Sequence, residues 1–465
     1  MAIAGERSKE TAMLDRRLSL LQAVSLNMSL MVGIGPFITI PTLVATMDGP
    51  QSMIGWVLGL AVAIADGMVW SELAAAFPGS GGTYHFYHAA YGDSTIGRLL
   101  KFVFVWQFMF SGPLEVATGA IGLVKYLGYF FPGLTEPAWH WQNIIPFLTS
   151  HATWDQVAAI GVMIGVTLLA YQRLAIAGKL LVVLWVGMLV TVSWVILTCL
   201  THFHAAQAFD FAGANWHLDA ATSTALGGAL AIAMYDFLGY YQVCYLGDEV
   251  TDAARTIPRA ILISVSMVGL VYMTMNIGIL GVLPWREVID SRHVASDLML
   301  RIHGPWAAGL ATAMIVWTAL ASTYAALLGY SRIPYAAARA GDFFKAFAAT
   351  HPTGHFPHRS LLLIFGLAAA ACLVDLATVI AALLTSRILI QFVGQIVTVF
   401  YLRAHAGQRP VGFRMPLFPL PALVALVGWL FIFCTSKPSV LFYSTGSLVA
   451  GVAAFVIWDR ATRSG

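Results

Sequence analysis

The sequence predicts an all-α membrane protein of twelve transmembrane helices, and three observations predict it. Of 465 residues, 59% are hydrophobic and only 10% are charged, against about 25% charged in an ordinary soluble domain. The apolar residues stand in long blocks, and blocks close to the ~20 residues that cross a hydrocarbon layer recur along the whole chain. Lys and Arg collect in alternate loops. A soluble fold is excluded on charge alone, and one integral domain is expected over 19–458, between a cytosolic tail at 1–18 and another at 459–465.

The first segment, 19–46, follows a charged stretch ending at Arg17 with no cleavage pattern, so the N-terminus reads as a cytosolic tail rather than a leader. The second is 50–77. The third, 95–131, is long enough to tilt strongly or to continue beyond the bilayer. Segments 153–171 and 177–201 complete a first half, about 19–201. Segments 225–247, 259–283, 305–330, 360–374 and 377–402 make a second half, about 225–402, in which only Asp375 and Leu376 separate the short ninth segment from the tenth. Two extra helices, 419–435 and 440–458, end the series. The loops 284–304 and 331–358 each have room for a short helix lying on the bundle.

Charge tests this count. With the N-terminus inside, nineteen of the 25 Lys and Arg fall on the inner side and four on the outer side (Arg286, Arg292, Arg301 and Lys437). Lys125 and Arg387 lie within spans, and the outer loops 132–152 and 202–224 contain neither residue type. Cytoplasmic loops retain basic residues, so an even number of spans with both termini inside is expected. A one-helix error would scramble the asymmetry. Were the host bacterial, the membrane would be the inner one, because the outer membrane is built with barrels.

Catalytic chemistry finds no footing. Cys199, Cys244, Cys372 and Cys434 are far apart and show neither metal-ligand nor disulfide spacing. His351, His355 and His358 lie in a Pro- and Gly-rich loop without a tetrahedral set. No nucleophile–base pair or phosphate-binding loop occurs. No enzyme activity, cofactor, metal or nucleic-acid partner is expected.

The first segment is interrupted by Val32-Gly33-Ile34-Gly35-Pro36-Phe37. Proline removes an amide donor and clashes with the preceding turn, and freed backbone groups are tolerated at membrane depth only inside protein or along a watery cavity. A lone Gly-x-Gly would be a packing notch. An unwound site at the start of a half-helix would instead bind an anion such as a carboxylate. The sixth segment favours the second reading. It carries Met234, Tyr235, Asp236 and Phe237, followed by Gly239, Tyr240 and Tyr241, and an acid at that depth is a functional hypothesis by default. Interrupted segments at matching places in two halves point to a transporter's central site.

Four motifs carry a family resemblance. Gly33-Ile34-Gly35-Pro36-Phe37, Glu72-Leu73-Ala74-Ala75-Ala76-Phe77-Pro78 with Gly81-Gly82-Thr83-Tyr84, Gly247-Asp248-Glu249-Val250, and Ser331-Arg332-Ile333-Pro334-Tyr335 onward to Gly341 stand in order at the expected helices. Together they resemble the amino acid–polyamine–organocation superfamily over nearly the full chain. The resemblance implies the leucine-transporter-type fold, an inverted 5+5 repeat plus two C-terminal helices. It implies a substrate between the two breaks, with a carboxylate at the Gly33, Ile34 and Gly35 amides. An amino group would meet carbonyls from Met234 to Phe237, and Tyr235 would form an aromatic lid. Trp106 to Glu115 and Tyr171 to Gly178 are similar to the polyamine-uptake branch. Three departures stand out. Met188 occupies the region where some proton-coupled members carry a lysine, Asp236 replaces a small or apolar residue, and Arg387 has no counterpart.

Each charge also has a plain structural reading. Glu115 is as well suited to a hydrogen bond between helices as to cation or proton binding. Asp66 and Arg387 each need a buried partner, and sequence does not say whether they meet. Glu72, near an inner helix end, suits a structural pair with an Arg. Ser322 and Thr323 match the hydroxyls that hold sodium in coupled relatives, but Ser and Thr are also ordinary helix-packing residues, and a proton is expected ahead of sodium. The resemblance leads us to expect a secondary transporter whose small amine-bearing solute is an amino acid, moved by alternating access with proton coupling or exchange. Two alternatives stand beside it: a polyamine or other organic cation, and a non-transporting sensor of the same fold. Oligomeric state is left open.

Overall fold

The structure, a computed structural model, describes residues 18–140, 151–172, 174–211, 220–374, 376–405 and 412–463. It is helical apart from one two-strand ladder. A capping box, in which the Ser19 and Gln22 side chains each bond the other's backbone, starts α1 (Leu20–Met31). Pro36 has no amide proton for the Val32 carbonyl, so the helix breaks and restarts as α2 (Gly35–Met47), bent by 42° from α1. Next come α3 (Met53–Ala76), the short α4 (Thr83–Tyr91) and α5 (Thr95–Leu127), whose 33 residues bear out the expected length of the third segment. The antiparallel pair β1 (Pro137–His140) and β2 (His151–Thr153) leads into α6 (Trp154–Ala170) and α7 (Leu174–Thr201).

A turn of helix, α8 (Ala205–Ala208), precedes α9 (Ala220–Phe237). The sixth apolar block was expected to run to 247, yet its helix stops ten residues earlier. Gly239 has φ +117°, a conformation that L side chains rarely adopt, and short 3₁₀ turns carry the chain on to Glu249. Then follow α10 (Ala253–Val282) and, in the loop 284–304, two short helices, α11 (Trp285–Asp290) and α12 (Val294–His303). After α13 (Pro305–Tyr330), the loop 331–358 holds α14 (Arg332–Ala340). The ninth and tenth blocks separate as α15 (His358–Ala371) and α16 (Leu376–Arg387); Asp375 between them lies outside the described residues. A π-helical turn, Ile388–Val393, joins α16 to α17 (Gly394–Ala404). The wide turn frees the Ile390 carbonyl, and the Tyr87 hydroxyl donates to it. The chain ends with α18 (Leu420–Thr435) and α19 (Pro438–Arg463).

Seven helices are long and apolar enough to cross a bilayer among the described residues, and eight if α1 and α2 form one bent span. Three shorter apolar helices, α6, α15 and α18, accompany them. Large apolar side chains such as Leu168, Val190, Leu270, Val427 and Ile457 remain exposed, the surface a lipid-facing bundle presents. Inside, small residues bring backbones together. A Cβ on Gly55 would meet Ala229, and one on Gly59 would meet Ala233, so α3 and α9 cross in close contact. Two bidentate ion pairs join segments distant in sequence. Arg403 donates to both oxygens of Glu72 at 2.7 Å, the structural pair expected for that acid. Arg332 donates to Glu249 at 2.8 and 3.0 Å, with both side chains buried.

Candidate functional site

The two helix interruptions meet in the centre of the bundle. Gly33 and Ile34 stand between α1 and α2, and Gly35 opens α2, so their amides belong to the set that a helix start leaves without an intrahelical acceptor. The Met31 carbonyl, four residues before Gly35, is occupied by the Tyr272 hydroxyl at 2.6 Å. Both glycines are required sterically: a Cβ on Gly33 would strike the Ser322 side chain, and one on Gly35 would strike the Asp236 carboxylate.

Across from this break, α9 ends against a set of polar clamps. Asn27 of α1 donates to the Tyr240 carbonyl at 2.6 Å and accepts from the Val243 amide at 2.9 Å. Gln242 reaches the Ala325 carbonyl of α13 at 2.8 Å. The Asn27 contacts satisfy backbone groups where the chain leaves its helix, and Gln242 ties that stretch to α13. Sequence reading missed Asn27, Tyr272 and Gln242 as supports. The signal available for each was a polar side chain alone in an apolar block.

Between the breaks lies a narrow cavity. Gly33, Ile34, Gly35, Glu115, Tyr235, Asp236, Ser322 and Thr323 all line it, joined by Thr118 and Gly119 of α5. Eight of the ten residues singled out in the sequence are thus brought together. Met234 and Phe237 are not part of the lining. Phe237 packs edge-on against Trp56 and Tyr272, with ring centroids 5.8 and 5.3 Å away. The carbonyls expected to face an amine are also engaged: Met234 and Tyr235 each accept from the Leu238 amide at 3.1 Å, and Asp236 from the Tyr272 hydroxyl at 3.1 Å.

The Asp236 side chain is 2% exposed; its Oδ2 accepts from Thr39 at 2.5 Å, and its buried Oδ1 has no partner. Glu115 forms an ion pair with Arg387, which is wholly buried. Asp66 and Arg387 do not meet. Asp66 accepts from the Tyr240 hydroxyl, and Trp70 and Trp429 lie beside it. The Ser322 and Thr323 hydroxyls both donate to the Ala319 carbonyl of their own helix, at 3.0 and 2.8 Å. Met188 is fully buried. Among the described residues, no group of three or more His, Cys, Asp or Glu side chains could hold a metal ion.

Chemically, the cavity combines helix-start dipoles that favour an anion with a carboxylate oxygen that lacks a partner. Residues 18–458 match the family described as amino acid permease. An uncharacterized transporter of Mycobacterium tuberculosis is 27% identical over 452 residues, covering 97% of this chain and 93% of its own length. The branched-chain amino acid permease of Bacillus subtilis is 25% identical over 443 residues, 93% of this chain and 89% of its own. The human cystine/glutamate transporter is 25% identical over 467 residues, 98% of this chain and 88% of its own. The chain belongs to the amino acid permease family of the amino acid–polyamine–organocation superfamily, as a multi-pass membrane transporter and not an enzyme.

Proposed function

We propose that the protein is a secondary active transporter of amino acids that works by alternating access, coupled to protons or to exchange. One observation carries the reading: Gly33, Ile34 and Gly35 of the helix break line the same cavity as Asp236, whose Oδ1 has no hydrogen-bond partner among the described residues. The amides suit a carboxylate. A buried carboxylate oxygen without a donor is costly, and either a proton or a solute ammonium removes that cost. Asp236 would therefore release a proton as it takes up the amine, with Tyr235 covering the solute. The names of the relatives, a branched-chain amino acid permease and a cystine/glutamate transporter, support an amino acid.

The rest of the architecture follows the same proposal. Twelve spans would form an inverted 5+5 repeat, with repeat one about 19–201 and repeat two about 225–402, and the two helices of 419–458 would complete the single domain. Both tails would lie in the cytosol, and a bacterial host would carry the protein in its inner membrane. Proton coupling is favoured over sodium because the buried Asp236 carboxylate offers a group that can take up and release a proton. A polyamine remains the competing solute, because Glu115 and Asp236 both line the cavity.

The test is uptake into proteoliposomes of labelled amino acids and, separately, labelled putrescine, without a proton gradient and with an outward one, because a proton released at Asp236 for each amine taken up moves opposite to the solute. Gradient-stimulated or exchange-driven amino acid uptake, inhibited by unlabelled amino acids, is expected. Putrescine uptake that is indifferent to amino acids would overturn the reading.

A further inference from the structure

Two acids line the cavity, Glu115 and Asp236, but their surroundings differ. Among the described residues Asp236 has no basic partner, and its side-chain hydrogen bond comes from Thr39. Glu115, on α5, meets a guanidinium that is not itself part of the lining. Arg387 is held behind it at the last residue of α16. Its Nε donates to Ser111 at 3.1 Å, and its Nη1 serves both Glu115 and the Tyr241 hydroxyl, the latter at 3.3 Å. The guanidinium also lies over the rings of Phe108 and Tyr330, 5.9 and 5.5 Å from their centroids, an arrangement that favours a cation. Arg387 is 0% exposed and Glu115 7%.

We infer that Arg387 sets the charge class of the solute: it neutralises Glu115 from behind the cavity wall, so the site accepts one ammonium at Asp236 and refuses a second. The inference rests on the amino acid reading above and names the solutes that the site rejects. With Glu115 cancelled, one carboxylate and the helix-start amides remain. That set complements an amino acid zwitterion. A diamine or a dibasic amino acid would bring a second positive charge toward an acid whose charge is already balanced, with a fixed cation directly behind. Rejection by like charge is the repulsive element that specificity commonly needs. Arg387 is a positioning and specificity residue, since it acts through Glu115.

The alternative role for the pair is mechanical, a clamp between α5 and α16. A clamp would lower stability and overall uptake when cut, without changing the ratio between solutes of different charge. The test therefore reads that ratio. Wild-type protein, Arg387→Met, Glu115→Gln and the double variant would be reconstituted, and uptake of a neutral amino acid, lysine, putrescine and aspartate compared. Neutral amino acid uptake by the wild type tests the transport reading by itself. In Arg387→Met, the ratio of lysine and putrescine to neutral amino acid is expected to rise about tenfold or more, the gain expected from freeing one carboxylate toward the solute. The double variant is expected to lose that gain. Should Arg387→Met not fold, Glu115→Gln carries the test, because an unbalanced Arg387 should raise the aspartate ratio. Unchanged ratios in the folded single variants, or ready putrescine uptake by the wild type, would overturn the inference while leaving amino acid transport standing.

Discussion

At Asp236 one carboxylate oxygen accepts from Thr39 at 2.5 Å while the other is buried without a partner. Asp236→Asn keeps the shape and removes the charge, so uptake should fall at least about tenfold and lose its dependence on pH, if this acid exchanges a proton for the solute amine. Unchanged uptake with an unchanged pH profile would exclude that role. Gly35 is equally constrained, because any side chain there meets the Asp236 carboxylate. Gly35→Ala should yield a folded protein, visible as an unaltered elution profile, with solute binding weakened by roughly tenfold or more, since a single displaced contact in a buried polar site costs about 1–3 kcal/mol. Both residues were legible in the sequence: an acid in mid-span and two glycines before a proline are costly features. The partner of Arg387 was not legible. A charged side chain can reach in several directions from a helix, and only packing decides that Glu115, not Asp66, receives it.

Among the elements, the irregular stretch after α9 depends on side chains far away in sequence. Asn27 satisfies two backbone groups there, so Asn27→Ala should lower stability by about 2 kcal/mol or more. This would be read as a lowered thermal midpoint in detergent, and an unchanged midpoint would show the stretch to be held by other contacts. The loop helix α4 gives a pH-dependent case. Burial lowers the pKa of His85 below its ordinary 6.5, and nearby Asp248 opposes the shift only in part. The unfolded chain therefore binds a proton at His85 before the folded one does, and stability is lost as pH falls below about 6.5. His85→Gln should reduce the drop in thermal midpoint between pH 7.5 and 5; an equal drop in both proteins would refute it. Helix existence was readable from hydropathy, but helix ends were not. The sixth block is apolar to residue 247, while its helix stops at Phe237, because Asn27, Gln242 and Gly239 make an unwound backbone affordable where composition alone favours a helix.

Over the whole molecule, composition and loop charge were enough to read a helical multi-pass membrane protein, because the bilayer requires apolar blocks of a set length. How the blocks cross was hidden, since it rests on contacts such as Gly55 with Ala229 across α3 and α9. The same bundle is held by ion pairs between segments distant in sequence. Glu72→Gln should cost about 3 kcal/mol, the low end for a broken buried pair, since the Arg403 side chain remains 16% exposed. An unaltered unfolding midpoint would assign that part of the bundle to apolar packing alone. The central claim is that one cavity recognises both ends of an amino acid, its carboxylate at the amides of Gly33 to Gly35 and its ammonium at Asp236. The most direct measurement is equilibrium binding to the purified protein of the best-transported amino acid, in competition with its carboxamide and its N-acetyl derivative. The account predicts that the intact amino acid competes fully and that each derivative, lacking one charge, competes at least about tenfold less well. Equal competition by either derivative would mean that the corresponding end is not recognised there, and would contradict the account.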